Sequence, residues 1–188
     1  MDDRIAISRL KQGDLNGLEI LVDRYQVQAV HIAYMIVYER ALAEDVAQTA
    51  FVKVMEYIQQ FDEERPFAPW FFRIVVNDAL KIATRQKRSV SLEDQLDEPV
   101  ARLAEWLMDP GLKPEQLIEQ KETHENILKA IRSLLPEQRA VIVMRYYLDM
   151  SEVDMSAKLE RPLSSIKWWL RDARKRLYDL MRTKAEGE

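Results

Sequence analysis

The chain has 188 residues, 47% of them hydrophobic and 32% charged, with four glycines, no cysteine and a formal net charge of −4. That length buries one medium core or two small ones; the lack of cysteine excludes disulfides, thiolate metal sites and thiol nucleophiles, and so few glycines argue against a loop-rich β fold. Met1, Asp2 and Asp3 form no basic leader, and no run approaches the roughly 18 apolar residues of a membrane span, so a soluble, cytoplasmic protein without membrane insertion is expected.

The first helical pattern begins after Gly13 and Asp14, which read as a helix stop followed by an N-cap. Leu15, Leu18, Val22, Tyr25, Ala29, Ile32 and Ile36 follow in steps of three and four, the spacing of one helix stripe. A second stripe runs through Ala47, Phe51, Val54, Ile58 and Phe61. After a turn with two prolines and a charged cluster, a third helix shows an apolar face at Phe71, Val75, Ala79 and Ile82. These three helices can close a small bundle. The other face of the third helix carries Trp70, Arg73, Asn77, Lys81, Thr84 and Arg88, an aromatic, amide and cation stripe. A solvated polar face is the plain reading of such a stripe. The basic tail Arg85, Gln86, Lys87 and Arg88 shifts it toward phosphate contact.

Residues 89–113 lose the periodicity and gain Pro99, Pro110 and Gly111, so they read as a linker with one short helix over 100–108. Within 89–123 nine acids stand against three bases, whereas 161–184 holds eight bases against two acids. The last part reads as four helices, over about 114–134, 136–147, 151–159 and 163–182. Pro136 suits a first helical position, and Ser151 with Asp154 forms a capping box. Pro162 separates the last two helices by a few residues. A short helix, a tight turn and a longer basic helix make a helix-turn-helix. On the last helix Ile166, Leu170, Ala173, Leu177 and Leu180 form the buried stripe, while Lys167, Trp168, Arg171, Arg174, Lys175 and Tyr178 point elsewhere. The expected fold is all-α: a helical bundle over 1–88, an acidic linker over 89–113 and a helix-turn-helix unit over 114–188.

Two blocks of residues match a known pattern. The first is Glu44-Asp45-Val46-Ala47-Gln48 with Phe51, then Phe67-Ala68-Pro69-Trp70-Phe71-Phe72-Arg73-Ile74 and Asn77. The second is Leu135-Pro136-Glu137-Gln138-Arg139, then 151–159, then the helix after Pro162 with Ile166-Lys167 and Ala173-Arg174-Lys175. In this order, joined by an acidic linker, they resemble the extracytoplasmic-function class of sigma factors of the sigma-70 family. The resemblance covers most of the chain. It implies a subunit that directs core RNA polymerase to −10 and −35 promoter elements, with promoter DNA and an anti-sigma factor as further partners. It implies that Glu44, Asp45, Gln48 and Phe51 dock on the clamp of the largest polymerase subunit. Trp70, Arg73, Asn77, Lys81, Arg85, Lys87 and Arg88 are then the −10 residues: melted bases need stacking faces and amide donors, and cations hold the phosphates. Ser165, Lys167, Trp168, Trp169, Arg171, Asp172 and Lys175 are the −35 residues, on a helix laid in the major groove.

Some positions depart from the family pattern. Thr49 stands where an acid is usual, Glu160 where a glycine usually turns between the two helices, which predicts a differently shaped turn, and Trp168, Trp169 and Asp172 replace small and basic residues. A helix-turn-helix regulator acting without polymerase leaves the first block unexplained; a helical protein-binding adaptor predicts no salt-dependent DNA binding. No enzyme is expected, since His31 and His124 lack a nearby nucleophile or ligand cluster, and neither cofactor, metal nor small-molecule substrate is implied.

Overall fold

Helix follows helix throughout the residues that the computed structural model describes, 3–89 and 130–185, with side chains to 86 in the first part and to 179 in the second. Residues 90–129, which hold all but the first residue of the expected linker and most of the helix expected over 114–134, lie outside the described residues. The elements are α1 (Asp3–Lys11), α2 (Asn16–Val37), α3 (Arg40–Tyr57) continued by a 3-10 turn (Ile58–Gln60), α4 (Phe67–Ser89), α5 (Pro136–Tyr146), α6 (Glu152–Leu159) and α7 (Leu163–Ala185). No strand occurs among the described residues. None of these helices is long and apolar enough to cross a membrane.

Helix α1 precedes the three expected at the N-terminal end. Asp3 in its first turn and Arg9 and Lys11 in its last suit the helix dipole, and it buries Ala6, Ile7 and Leu10. Gly13, at φ +85°, reverses the chain. Asp14 Oδ1 accepts the Asn16 N–H at 3.0 Å and so caps α2. A Cβ on Gly17 would meet Ala6 O at 2.3 Å and Leu10 N at 2.8 Å, both backbone atoms of α1. Glycine at 17 therefore sets how closely the two helices approach.

The α2 stripe is buried at Tyr25, Ala29, Ile32 and Ile36 as expected, but Val30, His31, Ala33, Tyr34 and Val37 are buried too. The C-terminal half of α2 is covered all round, because α3 and α4 pack against the helix and α5 adds a further wall. Alanines at 43, 47 and 50 line the inner side of α3, which lets it lie close on α2. The aromatic centre forms where Phe51 lies 4.6 Å from Phe71 and Tyr25 lies 5.5 Å from Phe67 and 6.1 Å from Phe71, ring to ring. Such pairs add about 0.5–1.5 kcal/mol each beyond their buried area. Across the same interface Lys53 Nζ reaches both oxygens of Asp78 at 2.7 Å.

The second half begins where its local signals place it. Pro136 opens α5, and Ser151 Oγ accepts the Asp154 N–H at 3.1 Å to cap α6. Ile166, Leu170 and Ala173 of α7 are buried against α5 and α6. One contiguous apolar cluster runs through both halves, from Ala6 to Ala173. Tyr38 marks their junction. It ends α2 in the left-handed region at φ 60°, a conformation that costs a bulky residue about 1–2 kcal/mol. The guanidinium groups of Arg139 and Arg132, from the second half, stand 5.1 and 6.0 Å from its ring. Burial pushes the Tyr38 hydroxyl's pKa well up and pulls that of the Arg139 guanidinium down.

Candidate nucleic-acid and protein interfaces

The first candidate surface is a groove of about 500 Å³ between α2 and α3. One wall is Val22, Gln26 and Val27 of α2; the other is Gln48, Val52 and Met55 of α3, with Phe51 in its floor. Of the four residues expected to meet a protein partner, Glu44, Gln48 and Phe51 line this groove. Asp45 is exposed on α3 outside it. Glu44 is held by Arg40 Nε at 2.8 Å, and Phe51 is 7% exposed, so its ring contributes shape more than a free face. Sequence reasoning missed the α2 wall. The available signal was the set of apolar residues off the buried stripes: Val27, Val52 and Met55 are 55%, 47% and 39% exposed. Apolar side chains exposed side by side along a concave surface mark a docking site more than a solvated face.

The second surface is the polar side of α4. Asn77 and Thr84 are half-buried, Lys81 and Arg85 are exposed, and the helix carries them in steps of three and four. Thr84 Oγ1 donates back to Leu80 O at 2.7 Å, which fixes its rotamer. Trp70 sits differently from its stripe-mates: its ring lies 4.9 Å from Phe61 and 5.7 Å from Phe67, so one side of it belongs to the aromatic cluster. Arg73 is half-buried, and burial together with nearby Arg65 lowers its pKa while Asp154 of α6 opposes that shift. The side chains of Lys87 and Arg88 lie outside the described residues.

The third surface is the outer side of α7. Lys167, Trp168, Arg171 and Lys175 are exposed, with Trp168 at 47%. Ser165 is half-buried in the first turn, where its N–H bonds Pro162 O at 2.9 Å. Two residues expected here are placed elsewhere. Trp169 is half-buried against the apolar cluster. Asp172 turns to the flank of the helix, where its Oδ2 accepts from Gln138 Nε2 at 2.6 Å and from Arg176 Nε at 3.0 Å. Of the two roles open to an acid on this helix, an ion pair with Arg176 one turn on or readout of a base edge, the ion pair is formed here. Arg174, outside the expected set, donates from Nε to the Tyr146 hydroxyl at 2.8 Å and lies 5.7 Å from that ring.

Across the junction of the two halves the polar side of α4 faces the end of α6 and the inner flank of α7. A cleft of about 420 Å³ has Asn77, Lys81, Thr84 and Arg85 of α4 on one side. On the other are Glu137, the end of α6 with Lys158 to Arg161, and Trp169. Trp169 is the one residue expected at the −35 element that lines this cleft opposite the α4 stripe.

Residues 21–89 match the family described as Sigma-70 region 2, and residues 124–177 the one described as Sigma-70, region 4. The ECF RNA polymerase sigma factor SigW of Bacillus subtilis (strain 168) is 26% identical over 178 residues, covering 94% of this chain and 95% of SigW. Among solved structures, CnrH in complex with the cytosolic domain of CnrY is similar with a TM-score of 0.59 at 23% identity, over 96% of this chain and 97% of CnrH. The sigma factor RpoE in complex with the anti-sigma factor NepR from Bartonella quintana is similar at 0.58 and 20% identity, over 86% and 98%. At these identities the structural likeness speaks for the fold.

Proposed function

Because the chain belongs to the sigma-70 family, in its extracytoplasmic-function class, and is an RNA polymerase sigma factor, we propose that its three surfaces divide the work of promoter selection. The α2–α3 groove with Asp45 and Gln48 docks on core polymerase. The exposed groove carries this assignment: among the described residues its Val27, Val52 and Met55 stay open to solvent, and a partner helix laid between α2 and α3 would bury them. The polar side of α4, with Asn77, Lys81 and Arg85, meets the opened −10 strand, where amides and cations suit unpaired bases and phosphates. The outer side of α7, with Lys167, Trp168, Arg171 and Lys175, enters the major groove at the −35 element. Residues 1–88 and 114–188 form the two working units, with 89–113 as the link between them. Such a subunit selects the site at which polymerase acts and catalyses nothing itself.

A chain that works with polymerase on promoter DNA acts in the cytoplasm in this reading. The Bartonella RpoE is in complex with the anti-sigma factor NepR, and a partner of that kind binds this chain in this reading. The test of the docking assignment is retention of core polymerase by the immobilised chain. The double variant Asp45→Ala with Gln48→Ala lowers retention on the order of tenfold with helical content unchanged, as loss of rim contacts around a docking groove predicts. Retention equal to wild type contradicts the assignment.

A further inference from the structure

Gln138 is the one fully buried amide among the described residues whose two ends are both used: Oε1 accepts the Leu135 N–H at 2.9 Å, and Nε2 donates to Asp172 Oδ2 at 2.6 Å. The first bond closes the start of α5. The second crosses 34 residues of sequence and ties α5 to α7. The same Asp172 oxygen takes Arg176 Nε at 3.0 Å, with the side chains 28% and 48% exposed. One carboxylate oxygen thus serves two donors, one from the interior and one from its own helix. A carboxylate that reads a base edge must present an oxygen outward to a cytosine amino group. Here the carboxyl is drawn back to the flank of α7, and hydrogen bonds to a charged acceptor are the stronger kind, so the position is well held.

We propose that Asp172 is a positioning residue for duplex reading, not a base-reading one: with Gln138 it sets the rotation of α7 on α5. Lys167, Trp168, Arg171 and Lys175 lie on the outer side of the helix, and a rotation of α7 about its axis would swing all four away from a base pair together. Arg176, held by the same carboxylate, is kept from competing for phosphate. The proposal rests on the reading of α7 as the helix that enters the major groove.

A reversed pair tests it. Gln138→Glu puts a carboxylate against Asp172, while the Leu135 N–H keeps an acceptor. Asp172→Asn then supplies an amide that can donate to the introduced carboxylate, so the double variant restores the bond with its direction reversed. Each full-length variant is assembled with core polymerase and used to transcribe a promoter pool randomised in the upstream block. Gln138→Glu alone lowers promoter-specific transcription about tenfold through like-charge repulsion, Asp172→Asn alone has a small effect, and the double variant returns to within about twofold of wild type. The preferred bases stay the same in all of them. The inference is overturned if Asp172→Asn changes the preference at one base pair and the double variant keeps that change, since the carboxylate then reads DNA directly. It is equally overturned if Gln138→Glu transcribes like wild type. Should Gln138→Glu lose helical content, recovery of both fold and transcription in the double variant reports the same bond, and no recovery in either counts against it. A wild-type profile with no preferred upstream block removes the duplex reading of α7 itself, and the proposal with it.

Discussion

Lys53 and Asp78 show how a single pair can matter to two surfaces. Lys53 lies on α3, whose outer side borders the docking groove, and Asp78 lies on α4 beside Asn77. The lysine reaches both carboxylate oxygens at 2.7 Å, and the aspartate side chain is only 10% exposed. Lys81, at 3.9 Å and 69% exposed, is too distant and too solvated to replace it. Lys53→Ala therefore leaves a nearly buried carboxylate without its main partner. The expected cost is about 2–3 kcal/mol of unfolding free energy, below the upper range for fully buried pairs because Lys53 keeps some access to water. Urea unfolding followed by helical signal measures it; a loss under about 0.5 kcal/mol means that water already satisfies Asp78.

At the scale of elements, the turn between α6 and α7 makes a sharp case. The sequence places Glu160 where a glycine is usual, which led to the expectation of a different turn. The structure keeps the glycine-like turn instead: Glu160 sits at φ 52°, its N–H bonds Ser156 O, and the Arg161 N–H bonds the same oxygen at 3.1 Å. The turn is fixed by how α6 must meet α7, and the glutamate bears the strain. Glu160→Gly accordingly raises stability by about 0.5–1 kcal/mol, the relief of the left-handed cost less the added freedom of the unfolded chain. A rise in thermal midpoint measures it, and a fall would show that the Glu160 side chain is itself needed. Signals that act within one turn of helix were legible from the sequence: Pro136 at the start of α5, the Ser151 cap, and the Ile166, Leu170 and Ala173 stripe. The Gln138 to Asp172 bond, the α2 wall of the groove and the Tyr38 contact with Arg139 were not. Each joins residues more than twenty positions apart, and periodicity along one helix carries no information about which other helix it will meet. The packing of Trp169 on the apolar cluster was hidden for the same reason, since its helix position does not tell which neighbour it meets.

For the molecule as a whole, the cleft between the halves sets a geometric condition on function. Two promoter blocks about 25 base pairs apart are roughly 85 Å apart along the duplex, at about 3.4 Å per step. The arrangement in which Lys81 and Arg85 face Trp169 and Arg161 across one cleft brings the proposed −10 residues far closer to the second half than that separation. On the proposed assignment of α4 and α7, promoter engagement is expected to part the halves, exposing the α4 stripe and freeing the region around Tyr38. The most direct test of the account is transcription by core polymerase, with and without the chain, from a pool randomised over about 50 base pairs upstream of the start. The account predicts that the chain enriches two sequence blocks at a fixed spacing of some two dozen base pairs; enrichment of one block alone, or products independent of the chain, contradicts it.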